Sequence, residues 1–411
     1  MKEYELAKIV ENVIPQLLLN NNAADIDWGR LFKLNLNGCD FLYITYNTGG
    51  RGGNIGNIFR YIEDMSSSFC GLNLYSSEME ENYVEKAIAT KWLEIETSLT
   101  QLEWYKILDN MEKLQRRTYE NLPIVKNIII DTKAKGTVNL SEQSEAKLID
   151  VMAGSNYVYF VADKELRIID YKTIMWETVT DKATYSSVPN FLQPFANEVG
   201  TDKVAISLTH SGDIIVYKQT GMVISIRKGN IVVYDDSIVK NLYKDVLNNT
   251  VYGIKCNLFD ICWDLSYRRH GALIIVALDN DFEKHVVNEE SILTHVTSKG
   301  IRKELVKSIQ QVSLINTGKI KNRNIFLELA SIDGALIIDS NNGDVKAFGA
   351  IIETAKGIKE VSGARSTAAR SAVSYGNMSP IKISSDGDIT LYKKVTNKKT
   401  KEELILEFRF Y

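Results

Sequence analysis

Apolar residues recur with helical spacing at the start of the chain. Leu6, Ile9, Val10, Val13, Ile14 and Leu17 share one side of a helix expected over 2–20, and Pro15 inside that pattern kinks or divides it. The period shortens to that of a strand over 41–46. This strand runs into the glycine-rich stretch Gly49-Gly50-Arg51-Gly52-Gly53-Asn54-Ile55-Gly56 and a helix through Tyr61. Between Met79 and Arg117 there is neither glycine nor proline. Ile88, Trp92, Ile95, Leu99 and Leu102 follow one another at spacings of four and three, which predicts one long helix or two joined by a tight break. A stripe this short predicts packing against the chain's own sheet in preference to a coiled-coil contact.

After Pro123 the pattern turns to strands at 124–130, 157–161 and 166–171, with a helix over 141–152. Polar residues with Pro189 and Pro194 mark a boundary in the stretch 181–194. Two hairpins follow, 204–208 with 213–217 and 222–227 with 231–234, turned by Ser211-Gly212 and Lys228-Gly229-Asn230. A helix at 235–246, a strand at 273–278 and helical pieces at 292–296, 301–312 and 322–329 come next. Strands at 335–338 and 345–352, a helix opening at Ala364, a hairpin over 380–392 and a strand at 404–410 complete the chain. The pattern predicts an α/β protein in three parts: a helix-rich α/β domain at 1–122, a small α/β segment at 123–185 that can belong to it, and a C-terminal domain at 186–411.

Composition narrows the function classes. With 411 residues, 45% apolar, 25% charged and five prolines, the chain is long enough for two or three globular domains. A net charge of −3 gives no bulk field for nucleic acid or anionic membrane, and neither partner is expected. Leu17-Leu18-Leu19 is too short for a signal segment, and no stretch approaches the roughly 20 apolar residues that span a bilayer. Cys39, Cys70, Cys256 and Cys262 fit reduced thiols and form no zinc pattern. A cytoplasmic protein is the expectation.

Two places carry candidate chemistry. The glycines at 49–56 do not fit G-x-G-x-x-G, since Ile55 occupies the last glycine's place, and there is no Gly-Lys-Ser/Thr. A flexible turn is the reading, with Arg51 keeping anion binding open. The second place is Asp333-Gly334-Ala335 together with Gly363-Ala364-Arg365-Ser366-Thr367. Asp333 at a strand edge is a hard oxygen ligand suited to Mg²⁺ or Mn²⁺. Gly363 ahead of a helix, with Arg365 in its first turn, offers free N–H groups and a cation to a phosphate.

In order along the chain, Gly271-Ala272-Leu273-Ile274-Ile275, Asp333-Gly334-Ala335, Gly363-Ala364-Arg365-Ser366-Thr367-Ala368-Ala369 and the closing hairpin resemble the diadenylate cyclase (DisA-N type) nucleotide-binding domain family. The resemblance runs from about Arg268 to Tyr392. It implies a mixed sheet flanked by helices that binds ATP, and a homo-dimer or higher oligomer in which two domains meet face to face. It also implies that Asp333 is catalytic and holds the divalent ion, while Gly334, Ala335, Gly363, Ala364, Arg365, Ser366 and Thr367 line the nucleotide. The chain departs from the pattern where the family carries Arg-His-Arg. Here Arg365-Ser366-Thr367 keeps one cation and replaces the other two side chains with hydroxyls. Asp386 stands near the place of the family's hairpin acid, and Arg370 lies at least a turn deeper in the helix. The expectation is a sensor or signalling module that binds an adenine nucleotide or a cyclic dinucleotide. An active enzyme making cyclic di-AMP from two ATP is the alternative, and a fold kept only for assembly is the third reading.

Overall fold

The computed structural model describes residues 1–411 except 21–22, 47–52, 75, 120–121, 140–148, 151, 153–156, 175–187, 201, 295–308, 310–311, 315–319, 359–362 and 411. The chain forms two compact units. The first comprises 1–24, 30–180 and 190–238, and the second comprises 25–29, 181–189 and 239–411.

In the first unit, helix α1 (Glu3–Val13) stops ahead of Pro15, with Ile14 as its C-cap. Strands β1 (Leu18–Leu19), β2 (Arg30–Leu36) and β3 (Cys39–Thr45) form a small sheet in the order β1-β3-β2. Helix α2 (Gly53–Cys70) follows the glycine stretch, whose residues 49–52, Arg51 among them, lie outside the described residues. The long apolar stripe resolves into two helices, α3 (Ser77–Glu96) and α4 (Gln101–Gln115). Ile88 and Trp92 are fully buried, but the break resets the phase, and Leu102 is 64% exposed.

Thr100 opens α4 with a capping box, its side chain on the Glu103 N–H and the Glu103 carboxylate on the Thr100 N–H. The Lys164 ammonium at 2.7 Å, and then the Thr100 amide, push the Glu103 carboxyl down to about 2. A depressed carboxyl stabilises the fold above its unfolded value of 4.5 and loses that contribution as pH falls toward 2. Glu103→Ala is therefore expected to lower stability by about 1 kcal/mol at neutral pH, solvent screening included. Urea titrations at descending pH should show the difference from the parent protein closing across that interval.

The remaining strands are β4 (Thr118–Tyr119) and β5 (Leu122–Pro123), which pair with each other, then β6 (Lys126–Ile130), β7 (Val138–Asn139), β8 (Val158–Ala162), β9 (Arg167–Thr173), β10 (Val204–Leu208), β11 (Ile214–Lys218), β12 (Gly221–Arg227) and β13 (Asn230–Val233). Between β9 and β10 lies the short helix α5 (Gln193–Val199). Strands β6–β13 build one sheet, ordered β13-β12-β11-β10-β6-β8-β9-β7. The expected domain boundaries, 122/123 and 185/186, do not match the compact units. Strand β10 pairs antiparallel with β6 from Val204↔Ile130 to Leu208↔Lys126, so both hairpins and the 123–185 segment complete a single sheet. The main division falls between Ile238 and Val239. Strands buried on both sides, as β6, β8 and β10 are, have to continue one sheet.

In the second unit, helices α6 (Asp236–Val246, shared across the division) and α7 (Tyr252–Arg268) lead into strand β14 (Ala272–Ala277). Helix α8 (Ile320–Ala330), strands β15 (Ala335–Asp339) and β16 (Val345–Ala350), helix α9 (Ala364–Tyr375) and strands β17 (Met378–Ile383), β18 (Ile389–Thr396) and β19 (Glu403–Phe410) follow. The sheet is mixed, ordered β16-β15-β14-β17-β18-β19. Strands β14 and β15 are parallel and every other pair is antiparallel. The protein is thus α/β throughout. The helical pieces expected at 292–296 and 301–312 fall largely outside the described residues. At the described start of the first, Ile292 bridges Ala347 and Leu293 donates to the Lys346 carbonyl, so the chain there is extended against β16.

Helix α7 has no clean stripe because it is buried nearly all round, with Cys256, Leu258, Phe259, Ile261, Cys262, Trp263 and Leu265 all inside. Burial pushes both thiols up, which keeps them protonated and unreactive. Helix α9 seats Ala369, Ala372 and Val373 against Leu273, Ile275, Ile337 and Tyr392. That small-residue face brings the start of α9 down onto the sheet.

Candidate functional site

Asp333 stands just ahead of β15, and its side chain is fully exposed. Gly334 after it has φ +103°, and a Cβ there would lie 2.5 Å from the Gly349 carbonyl carbon. Gly349 itself sits at φ +64° in a bulged β15–β16 pairing. Gly334 is therefore required by the close crossing of two backbones as well as by its own dihedral. The sequence suggested room for a nucleotide; the structure adds a strand-packing reason. Ala335 is buried in β15, paired with Leu273 and Ala350, and it does not reach the pocket wall described below.

Helix α9 starts after Gly363, whose φ of +107° suits glycine and whose carbonyl accepts from the Ser366 and Thr367 amides. Gly363 itself occupies the N-cap position and brings no side chain, so no side-chain hydrogen bond caps this end among the described residues. Arg365 reaches across and donates from Nη2 to Asp333 Oδ1 at 2.9 Å. The other Asp333 oxygen has no protein partner among the described residues. Gly271 makes room for this pair, because a Cβ on it would fall 2.6 Å from Arg365 Nη1. Gly271→Ala is accordingly expected to turn the guanidinium off Asp333 and to weaken any anion held by Arg365 severalfold. A crystal structure of the variant and an anion titration would check both effects.

These segments enclose a cavity of about 790 Å³. Asp333, Gly334, Gly363, Ala364, Arg365, Ser366 and Thr367 all line it, so two stretches thirty residues apart in sequence converge on one site. Leu273, Ile351, Ile352 and Thr354 add walls from β14 and the end of β16, and Lys382, Ser384 and Ser385 add one from β17. Lys382 was not anticipated from sequence. Its Nζ lies 2.8 Å from Ser366 Oγ, and among the described residues no carboxylate comes within ion-pair distance of it. Burial, then Arg409, lower the Lys382 pKa from its ordinary value.

Other sequence candidates lie elsewhere. Arg370 pairs with Glu407 on β19, a structural ion pair away from the cavity. Ser385, not Asp386, reaches the cavity wall. His270 is held by Ser331 Oγ at 3.1 Å. Among the described residues no cluster of three His, Cys, Asp or Glu forms a protein-only metal site. One exposed carboxylate with a free oxygen fits a different arrangement, in which Mg²⁺ is shared between a single carboxylate and the phosphates of a ligand.

No family model matches the chain, and no curated protein matches it. Among solved structures, a double mutant of DacA from Staphylococcus aureus is 17% identical, with 41% of this chain and 89% of that one covered and a TM-score of 0.21. A hypothetical membrane spanning protein from Bacillus cereus is 19% identical, with 43% and 78% covered and a TM-score of 0.23. TM-scores this low establish no family, and the chain's own residues carry the reading that follows. Among the described residues, no helix is long and apolar enough to cross a membrane.

Proposed function

We propose that the second unit binds an adenine nucleotide or a cyclic dinucleotide in the cavity beneath α9 and acts as a sensor or signalling module. The observation that carries this is the convergence of Asp333-Gly334 with Gly363-Ala364-Arg365-Ser366-Thr367 on one cavity of about 790 Å³, a size suited to a small ligand. The ligand's phosphates lie against the first turn of α9, where the helix N-terminus and the Arg365 guanidinium meet negative charge. Asp333 would hold a Mg²⁺ or Mn²⁺ through the oxygen that Arg365 leaves free. When bound, such an ion neutralises phosphate charge and polarises the phosphorus centre. Arg365 orients the phosphate chain, and its exchange from Asp333 to the ligand accompanies binding. The resemblance also points to two such domains meeting as a homo-oligomer.

The second reading is an active diadenylate cyclase, favoured by the exposed Asp333 carboxylate at the cavity. Against it stands the first turn of α9, where Ser366 and Thr367 offer hydroxyls in place of charge. Losing a charge-assisted contact from a transition state typically costs about a hundredfold or more in rate. One incubation separates the readings: purified protein with ATP and Mn²⁺ or Mg²⁺, followed by chromatography for cyclic di-AMP. The sensor reading expects nucleotide binding without turnover. Turnover that disappears in Asp333→Asn would establish the enzyme instead.

A further inference from the structure

Lys382 occupies an unusual place for a lysine. Strand β17 is interior to its sheet, between β14 and β18, and side chains along it alternate between the two faces. Lys382 pairs directly across from Leu273, and it shares a face with Met378, which belongs to the core beneath α9. The lysine is half-buried and lies on the face of the sheet covered by the helix, where it lines the cavity beside the first turn of α9.

Even a partly desolvated ammonium normally carries a carboxylate partner, because burying a charge is costly. Among the described residues, the side-chain partner of Lys382 is the Ser366 hydroxyl. The nearby charges it feels are mixed: Arg409 and Arg370 oppose it, while Glu407 and Asp388 favour it. Of these, Glu407 is already taken by Arg370, and among the described residues neither Glu407 nor Asp388 comes within ion-pair distance of Lys382. Arg365, the other cation lining the cavity, is engaged by Asp333. Lys382 is thus the cation that the cavity wall holds ready without an acid on it. Ser366, Thr367, Ser384 and Ser385 also line the cavity, hydroxyl-bearing residues whose chemistry suits phosphate oxygens.

The geometry points to Lys382 as the residue that grips the ligand's phosphate chain from the sheet side, opposite Arg365, releasing Ser366 Oγ as the phosphate arrives. This rests on the phosphate-binding reading of the cavity. It supplies from a strand the second positive charge that the first turn of α9 lacks.

The test is calorimetric titration of the full chain with ATP and, separately, with inorganic triphosphate, using the parent protein, Lys382→Met and Lys382→Arg, alongside thermal melts without ligand. Lys382→Met is expected to weaken both ligands about tenfold to a hundredfold, the cost of one charge-assisted contact. Lys382→Arg should stay within about threefold of the parent. Without ligand, Lys382→Met should melt at or above the parent temperature, since it removes a partly desolvated ammonium that has no acid partner among the described residues. Triphosphate binding that depends on Lys382, with no preference for ATP, would uphold Lys382 and overturn the adenine reading. ATP binding unchanged in Lys382→Met would overturn the assignment of Lys382 and leave the nucleotide reading standing. A melt lowered by several degrees in Lys382→Met would make the lysine structural and overturn the assignment. A parent protein that binds neither ligand would overturn both.

Discussion

Gly334→Ala is expected to destabilise the second unit by about 2–4 kcal/mol and to abolish ligand binding at the cavity. Two independent effects add. A left-handed backbone costs a residue with a Cβ about 1–2 kcal/mol. The new methyl would also fall 2.5–2.8 Å from the Gly349 backbone, where no flexible side chain can yield. Strand β16 must shift away from β15, and with it the Ala350–Ile352 wall of the cavity. Because Asp333 is the adjoining residue, its carboxylate moves as well. Chemical denaturation of the two units should show the transition of the second unit displaced, while that of the first stays in place. Gly363→Ala gives a graded comparison. Its φ is also positive, but among the described residues the nearest approach to the added carbon is Ser366 Oγ at 3.9 Å. Its cost should stay near the dihedral term alone.

Arg365→Ala is expected to reduce nucleotide affinity by about tenfold to a hundredfold while changing the ligand-free stability by less than about 1 kcal/mol. The ion pair it breaks is solvent-exposed on the Asp333 side, so the fold gains little from it. A phosphate bound there would lose a direct charge-assisted hydrogen bond. The contrast between small stability loss and large affinity loss marks a binding residue. Lys is not an equivalent replacement, because the planar fork of arginine can span both Asp333 and a phosphate oxygen. Arg365→Lys should recover only part of the loss in a titration with ATP.

The elements that the sequence disclosed are those with local signals. The strands read at 204–208, 213–217 and 222–227 follow from apolar runs between Ser-Gly and Lys-Gly-Asn turns, and the structure has them at Val204–Leu208, Ile214–Lys218 and Gly221–Arg227. The chemistry at Asp333 and Arg365 was visible as residue types at element ends, and the fold brings them to 2.9 Å. What the sequence concealed is non-local or periodless. Strand β10 joins β6 across more than seventy residues, and strands buried on both faces carry no alternation to announce a neighbour. Helix α7 is buried nearly all round, polar Asp264 and Ser266 included, so it has no clean apolar stripe to read. Lys382 in Pro380-Ile381-Lys382-Ile383 looks like the outward position of an alternating strand. Only the interior place of β17, with α9 packed over it, shows that this face is inward.

If the cavity under α9 holds a nucleotide by its phosphates, calorimetric titration of the purified chain with ATP in the presence of Mg²⁺ should show saturable binding in the micromolar range. Run in parallel, Arg365→Ala should lose about tenfold or more in affinity. No binding by the parent, or equal affinity in the two proteins, would contradict a phosphate-held nucleotide in this cavity.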